Sequence, residues 1–287
     1  MRNEIIAKYW ENKESKDIKC NLCPKKCIIK ENRNGKCGVR ENRDGILIAR
    51  GYGCVTSIAL DPIEKKPLYM FQPGKKIVSI GGYGCNLNCP FCQNYTISLQ
   101  YKNTKIEYMS PELITEIALM AVRDGNIGIA YTYNEPLIGY EYVTDCSALI
   151  HEAGLLNVLV TNGYINEEPL EELLPLIDAM NIDIKGYHGG TYREVGGTLE
   201  EVKRTIEMSH RMCHVEVTTL VIPNENEDDV EDIAMWLSAV DPDIPYHLSR
   251  FFPRYNYSGR EPTPPETMYK LRDIAKKHLK NVFIGNM

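Results

Sequence analysis

The sequence lacks any long hydrophobic run. No apolar stretch in its 287 residues approaches the ~20 residues that a membrane-spanning helix needs. The first residues, Met1 to Glu4, are too polar for the start of a secretory signal peptide. We therefore predict a cytoplasmic protein that has no membrane partner.

An excess of positive charge is also missing. The net charge is −6, and lysine and arginine form no concentrated stripe, which disfavours nucleic acid as a general partner. The chain is 43% hydrophobic and 25% charged, as is typical of a soluble globular protein. Its length fits one large domain with a small appendage.

Cysteine is abundant, with ten residues in the chain. The cytosol keeps thiols reduced, so this number favours metal binding over disulfides. Cys85, Cys89 and Cys92 form a C-x3-C-x2-C pattern directly after the apolar run 77–80 and a glycine pair. Thiolates suit iron–sulfur clusters and zinc. Three thiolates on a four-iron cluster leave one iron without a protein ligand, and an open position is typical of a reactive metal.

Two other interpretations of these three cysteines stay open. They are simple burial in a core strand, and a zinc site completed by a distant histidine.

A second group of cysteines lies near the amino terminus and comprises Cys20, Cys23, Cys27 and Cys37. The surrounding segment has few apolar residues, so a bound metal would supply folding free energy. Four thiolates fit either a closed zinc site or a second iron–sulfur cluster, and the spacing does not decide between them. Free or disulfide-linked cysteines are the alternative.

For two neighbouring segments, the sequence predicts local structure but no specific chemistry. Residues 1–19 are expected to form a short polar helix with a partial apolar face. Residues 61–69 place two prolines around a charged run, which predicts an ordered turn. That turn is either a solvated loop or a lid that faces the substrate.

From residue 77 onward, apolar strands alternate with amphipathic helices. The predicted strands are 77–82, 127–131, 155–160, 177–184, 213–221, 245–250 and a short one at 281–284. The predicted helices are 111–124, 137–153, 167–174, 198–211, 227–240 and 265–279. This alternation predicts an α/β fold with parallel strands. We expect a partial (βα)6 barrel over residues 77–287, preceded by a small Cys-rich N-terminal module over residues 1–76.

Polar residues follow successive strands of this predicted barrel. They are Asn134 and Glu135 after the second strand, Thr161 and Asn162 after the third, Asp183 and Lys185 at the fourth, Glu216, Thr218 and Thr219 near the fifth, and Ser249 and Arg250 at the sixth. Barrels of this kind carry their sites at the carboxyl ends of the strands. Carboxylates there accept hydrogen bonds from an ammonium group, and Asn and Thr suit ribose hydroxyls.

The C-x3-C-x2-C pattern resembles the signature of the radical S-adenosylmethionine (radical SAM) superfamily. The resemblance implies a 4Fe–4S cluster on Cys85, Cys89 and Cys92, with S-adenosylmethionine (SAM) chelating the fourth iron. It also implies a low-potential electron donor, reductive cleavage of SAM to a 5′-deoxyadenosyl radical, and hydrogen abstraction from a substrate.

The strand-end motifs resemble the pyruvate formate-lyase activating-enzyme group of that superfamily. By this likeness Asn134 and Glu135 contact the methionyl amine, Thr161 and Asn162 lie along the ribose, and Asp183 and Lys185 also contact SAM. The chain departs from that group in two ways. Val160 stands where an Asp helps bind a monovalent cation, and Tyr133-Asn134 replaces a Gly-Gly pair.

The N-terminal cysteines, residues 61–68 and residues 81–94 add a narrower likeness to the radical SAM member of the AmmeMemoRadiSam system. That likeness implies Memo-like and AMMECR1-like partner proteins. The activating-enzyme likeness instead implies a glycyl-radical enzyme as the substrate. A metal-bound scaffold or electron carrier without turnover is a third interpretation, which leaves the strand-end motifs unexplained.

Overall fold

The computed structural model describes residues 4–287. Within these residues, no helix has both the length and the apolar character that crossing a bilayer would require. The strands are β1 Trp10–Asn12, β2 Ile18–Cys20, β3 Ile28–Ile29, β4 Arg40–Arg43, β5 Ile46–Ala49, β6 Cys54–Val55, β7 Ser57–Pro62, β8 Lys76–Gly81, β9 Glu107–Tyr108, β10 Asn126–Tyr131, β11 Leu156–Thr161, β12 Ala179–Asp183, β13 His214–Val221, β14 Tyr246–Arg250 and β15 Val282–Gly285. The α-helices are α1 Tyr95–Ser98, α2 Pro111–Met120, α3 Tyr140–Glu152, α4 Glu167–Leu173, α5 Gly189–Val195, α6 Leu199–His210, α7 Asp229–Val240 and α8 Pro265–Ala275.

A single eight-stranded sheet forms the body of the molecule, in the order β15-β14-β13-β12-β11-β10-β8-β7. The seven strands from β8 to β15 in this sheet run parallel, and β7 pairs antiparallel with β8. Helices cross between successive parallel strands, and β7 and β15 are the two edges. The predicted partial (βα)6 barrel is confirmed.

Local sequence explains why these elements form where they do. The side chains of β12 are buried apart from a half-buried Asp183, as expected for a parallel strand covered on both faces. Helix α2 begins where predicted, because the Ser110 hydroxyl caps it by accepting a hydrogen bond from the Leu113 amide at 3.3 Å. Pro111 occupies its first turn, where the missing amide hydrogen costs nothing.

The prediction of a helix over residues 1–19 is wrong for the part that is described. Residues 1–3 lie outside the described residues, and β1 pairs antiparallel with β2 instead. Tyr9 and Ser15 have positive φ angles of 55° and 58°, which a helix does not allow. Strand pairing within the cysteine-rich segment, and not the partial apolar face of the predicted helix, therefore determines the structure of these residues.

The segment 63–71 begins at the amino end of β8 and packs into the barrel through the buried side chains of Ile63, Lys66 and Leu68. Leu68 is fully buried against residues of β8, β10, β11 and β12. The Glu216 carboxylate accepts hydrogen bonds from the backbone amides of Tyr69 at 3.0 Å and Met70 at 2.7 Å. We call this segment the barrel plug. Because Lys66 is only 2% exposed, the segment is not a solvated loop. The Lys66 ammonium donates to Asp61 at 2.9 Å, and Asp61 also accepts a hydrogen bond from the Tyr133 hydroxyl at 2.8 Å, so the segment is linked to the loop that follows β10.

The amino-terminal residues are joined closely to the barrel. Strand β7 pairs with β8 along all six of its residues, from Ser57 opposite Gly81 to Pro62 opposite Lys76. The division of the chain at residue 76 stays a prediction. The pairing of β7 with β8 crosses this boundary, so removing β7 would test it.

Candidate active site

The loop that follows β8 carries Cys85, Cys89 and Cys92, and we call residues 82–94 the cysteine loop. All three cysteines are free and half-buried. The loop turns at Gly84, whose φ is +84°, and a Cβ atom at this position would overlap the Cys37 carbonyl oxygen. Only glycine allows both this conformation and this close approach. The three thiols therefore sit on a tightly fixed turn at the carboxyl edge of the sheet.

Asn134 fixes the start of the cysteine loop. Its side-chain oxygen accepts a hydrogen bond from the Gly82 amide at 2.9 Å. Its side-chain nitrogen lies within 3.2 Å of the carbonyl oxygens of Tyr83, Gly84 and Glu135. The side-chain amide of Asn134 therefore already forms hydrogen bonds with backbone groups. These bonds hold the loop after β8 against the loop after β10.

Glu135 is a buried carboxylate with a fully specified set of partners. It accepts hydrogen bonds from the Thr161 hydroxyl at 2.6 Å, the Asn162 amide at 2.8 Å and the Leu137 amide at 3.0 Å. Burial raises the pKa of Glu135 to about 7, although these hydrogen bonds act to lower it. A carboxylate in this setting is suited to accept a hydrogen bond from a ligand's amino group.

Asn162 connects this carboxylate to the cysteine loop. Its side-chain nitrogen lies 3.6 Å from the Cys85 sulfur and 3.0 Å from the Asn86 side-chain oxygen. The Leu87 amide also donates to the Cys85 sulfur at 3.4 Å. N–H donors directed at a sulfur atom stabilise its anionic form, which is the form that binds metal.

The Asp183–Lys185 pair lies near Cys89 and Cys92, on which its charges act. The Lys185 ammonium donates to the Asp183 carboxylate at 2.7 Å, and only 14% of the lysine side chain is exposed. Burial acts to lower the pKa of Lys185, but the charge and hydrogen bond of Asp183, together with the charge of the nearby Cys89, raise it. Burial raises the pKa of Cys89 to about 12, and the Lys185 charge acts against this rise. Lys185 is therefore placed to favour thiolates in the loop.

The predicted strand-end residues form two groups around the cysteine loop. Asn134, Glu135, Thr161 and Asn162 are joined to one another or to the loop by hydrogen bonds on the Cys85 side, and Asp183 and Lys185 lie on the Cys89 side. Glu216 does not join them, because it binds the barrel plug near the middle of β13. Val160 lies one residue before the end of β11 and offers no ligand atom.

The sequence did not point to two further features. Asn86 had no signal of its own, because its contacts with Asn162 and with the amino-terminal module join distant parts of the chain. A cavity of about 360 Å³ opens beside the loop and is lined by residues that include Phe91, Gln93, Arg250, Phe252 and Arg254. The spacing of the two arginines after the sixth strand would have been a usable signal for it.

The four amino-terminal cysteines share a cavity that is separate from the main site. Cys20, Cys23, Cys27 and Cys37 all line it, together with Asn86. Among residues 4–287, no three His, Cys, Asp or Glu side chains converge tightly enough to surround a single metal ion. Ligands of an iron–sulfur cluster bind different irons, and so they need not converge on one point.

Comparison with known proteins agrees with this geometry. Residues 79–237 match the family described as the radical SAM superfamily. The chain is 44% identical over 98% of its length, and over 85% of the relative, to "Uncharacterized protein MJ0808" of Methanocaldococcus jannaschii. It is 30% identical over 74% of its length, and over 90% of the relative, to "Putative glycyl-radical enzyme activating enzyme MJ1227" of the same organism.

Solved structures share the fold at low sequence identity. Streptococcus suis SuiB superposes with a TM-score of 0.55 at 11% identity, covering 72% of this chain and 48% of that one. Methylornithine synthase (PylB) superposes with a TM-score of 0.52 at 16% identity, covering 70% of this chain and 68% of that one. At these identities the likenesses concern the fold alone.

Proposed function

Because this chain belongs to the radical SAM superfamily, we propose that Cys85, Cys89 and Cys92 hold a 4Fe–4S cluster beside a bound SAM molecule. The residues fit this pair of groups. The Cys85 sulfur has two N–H donors directed at it, and the Lys185 ammonium offsets the negative charge of the thiolates. When bound, the cluster and SAM supply radical chemistry, namely one-electron cleavage of SAM and abstraction of a hydrogen atom from a substrate.

The protein's part in this proposal is to bind and orient SAM. Glu135 accepts hydrogen bonds from the SAM amino group, while Thr161 and Asn162 hold the carboxylate of Glu135 in place. Lys185 and Asp183 line the site beside Cys89. The buried side chains of Leu87 and Phe91 keep water from the reacting atoms. The observation that carries the proposal is the hydrogen-bonded path from Glu135 through Asn162 to Cys85.

For the substrate, we propose a glycyl-radical enzyme that this chain activates. Two relatives in Methanocaldococcus jannaschii carry names of glycyl-radical enzyme activating enzymes, which supports this choice. The cavity beside Phe91 opens at the carboxyl edge of the sheet, where a peptide loop can approach. A cytoplasmic location belongs to this proposal as well.

A second candidate is radical modification of a small molecule, protein or RNA residue with Memo-like and AMMECR1-like partners. The observation that favours it is the cysteine-rich module ahead of the barrel, which carries part of the likeness to the AmmeMemoRadiSam system. The first candidate predicts a glycyl radical on the partner enzyme, and the second predicts a mass change in another target.

The test is anaerobic incubation of reconstituted protein with dithionite and SAM, with and without each candidate partner. We expect 5′-deoxyadenosine to form, and a glycyl-radical electron paramagnetic resonance (EPR) signal to develop on the partner for the first candidate. A mass change in another target would favour the second. Cys89→Ser should remove the iron of the Cys85 cluster and abolish SAM cleavage. Lys185→Gln should weaken SAM binding with iron retained, and the exposed Glu171→Gln should change neither iron content nor SAM binding. Protein with a full iron content that neither binds nor cleaves SAM would contradict the proposal.

A further inference from the structure

The amino-terminal cysteine cavity contains a buried cation with an unused donor. Arg40 is 1% exposed, and its guanidinium pairs with both carboxylate oxygens of Glu141 at 3.1 Å and also donates to the Lys8 carbonyl. Its Nε atom is buried without a hydrogen-bond partner. Arg40 lines the cavity, and its charge acts on Cys20 and Cys37. A buried N–H donor beside four thiols is suited to a sulfur-rich anionic group, since an unpaired donor is otherwise costly.

This cavity is adjacent to the proposed active site. The Asn86 side chain contacts the Cys23 thiol, and its oxygen accepts a hydrogen bond from Asn162, whose nitrogen also contacts the Cys85 sulfur. Asn86 also directly follows Cys85 in the chain. A short path of bonds and hydrogen bonds therefore joins the two groups of cysteines.

Lys25 gives a second, independent link between the two groups. Its charge acts on Cys23 and Cys27 of the amino-terminal cavity and also on Cys85 of the cysteine loop. Charge interactions of this kind fall off with distance, so Lys25 lies near both groups. The backbone of Gly84 meets the Cys37 carbonyl in the same region.

The surface around the cavity is basic, although the whole chain has a net charge of −6. Residues 20–40 contain six Lys or Arg residues and one acidic residue, Glu31, which pairs with Lys16. Among the described residues, none of Lys25, Lys26 and Lys36 forms an ion pair with a carboxylate, and Lys26 and Lys36 are exposed. We call these three lysines the basic rim. A rim of unpaired cations attracts an acidic protein surface.

We propose that this cavity holds a second iron–sulfur cluster, which accepts electrons from an acidic one-electron carrier docked on the basic rim and passes them to the Cys85 cluster. This inference rests on the proposed function, because it needs an iron–sulfur cluster at Cys85. In the transfer, the carrier is oxidised by one electron and the cluster is reduced by one, while no bond or proton changes. Asn86 is a positioning residue between the two clusters.

The first experiment establishes what occupies the cavity. Anaerobically purified protein should contain roughly eight irons per chain and no zinc. Cys89→Ala should keep about half of that iron and an EPR signal on reduction, and adding Cys23→Ser should abolish both. In case the double variant does not fold, the wild-type EPR spectrum offers a second measurement, since two reduced clusters this close broaden each other's signals. One zinc per chain with roughly four irons would overturn the proposal.

The second experiment tests the route of the electron. A photoreduced flavodoxin, as an acidic carrier, and dithionite are each mixed with the protein, and cluster bleaching is followed by stopped flow. For the Lys26→Gln/Lys36→Gln double variant, the ratio of flavodoxin-driven to dithionite-driven rates should fall about tenfold at low salt, and the difference should shrink as salt is added. Lys270→Gln, which alters an exposed lysine of α8, should leave the ratio unchanged.

The relay and the proposed function can fail separately. If dithionite does not support SAM cleavage in the wild type, the proposed function fails. If SAM is cleaved but the rate ratio is the same in the rim variant and in wild type, the electron enters elsewhere and the relay is wrong. Asn86→Leu should slow flavodoxin-driven reduction of the Cys85 cluster while the iron content is retained, and an unchanged rate would exclude Asn86 from the path.

Discussion

Glu135 is the buried carboxylate to which the hydrogen bonds of the candidate site converge. Its neighbours supply two backbone amides and one hydroxyl, all aimed at the same two oxygens. Such a set holds the side chain in one orientation before any ligand arrives, which is what a binding residue needs. Burial nevertheless disfavours its charged form, and this has a measurable consequence for stability.

The pKa of Glu135, about 7, predicts how stability changes with pH. The folded value lies above the ordinary glutamate value of 4.5, so the folded protein holds a proton that the unfolded chain releases. We expect the free energy of unfolding of cofactor-free protein to fall as pH rises from about 4.5 to 7, by on the order of 2 kcal/mol. Urea titrations at several pH values measure this, and Glu135→Gln should remove that part of the slope. An identical slope in Glu171→Gln and Glu135→Gln would contradict the prediction.

At the scale of the element, the cysteine loop depends on Asn134 for its position. One side-chain amide satisfies an N–H group and several carbonyl groups of the turn. A glycine at this position would leave those groups to find other partners. Asparagine at position 134 therefore makes the backbone there less flexible than glycine would, and it fixes the position of the loop.

Replacing Asn134 by alanine should loosen the cysteine loop. The Gly82 amide and the nearby carbonyls would lose their partner, which costs roughly 2 kcal/mol of unfolding free energy. We also expect a lower iron content after reconstitution, because the three thiols are no longer held in one arrangement. Urea unfolding and iron analysis measure the two effects, with the exposed Asn103→Ala as the matched control. If iron content and stability match those of the control, the loop does not depend on this side chain.

The barrel plug is a second element whose position rests on one side chain. Glu216 is fully buried, and besides the Tyr69 and Met70 amides it contacts His214 at 2.9 Å and His247 at 2.5 Å. Burial acts to raise the pKa of Glu216, but the hydrogen bonds from these histidines and from the Tyr69 amide, together with the charge of His247, bring the pKa to about 2. The stabilising contribution of Glu216 is therefore present above about pH 4.5 and is lost as pH falls toward 2.

Glu216→Ala should release the plug and cost on the order of 3 kcal/mol, because the buried amides and histidines lose their acceptor. Hydrogen exchange should become faster over residues 67–71 than elsewhere, and the acid-dependent loss of stability between pH 4.5 and 2 should become smaller. Exchange measured by mass spectrometry checks the first effect. Unchanged protection of the plug would show that apolar contacts of Leu68 alone hold it.

For the whole molecule, the sequence predicts the barrel well, but it predicts poorly the segments that pack against the barrel. Near-continuous apolar strands and capped helices carry local signals, so each parallel strand appears near its predicted position. The plug, the Asn86 contacts and the shape of residues 4–20 depend on pairing between distant segments, which no local pattern reveals. Helix α5 was also missed, because its opening Gly189-Gly190 pair has low helix propensity and the burial of Tyr192 and Val195 stabilises it instead.

The same long-range contacts predict how the chain can be divided. A chain that begins at residue 77 lacks β7 and the plug, so β8 becomes an edge and Glu216 is left buried without the amides it binds. We expect such a chain to aggregate. A chain that begins at residue 57 keeps the whole eight-stranded sheet, and should unfold cooperatively although it lacks the four amino-terminal cysteines. Soluble yield and urea unfolding of the two chains check this. A cooperative transition for residues 77–287 would show instead that the barrel folds as a unit without β7, and that the predicted boundary at residue 76 is a true domain boundary.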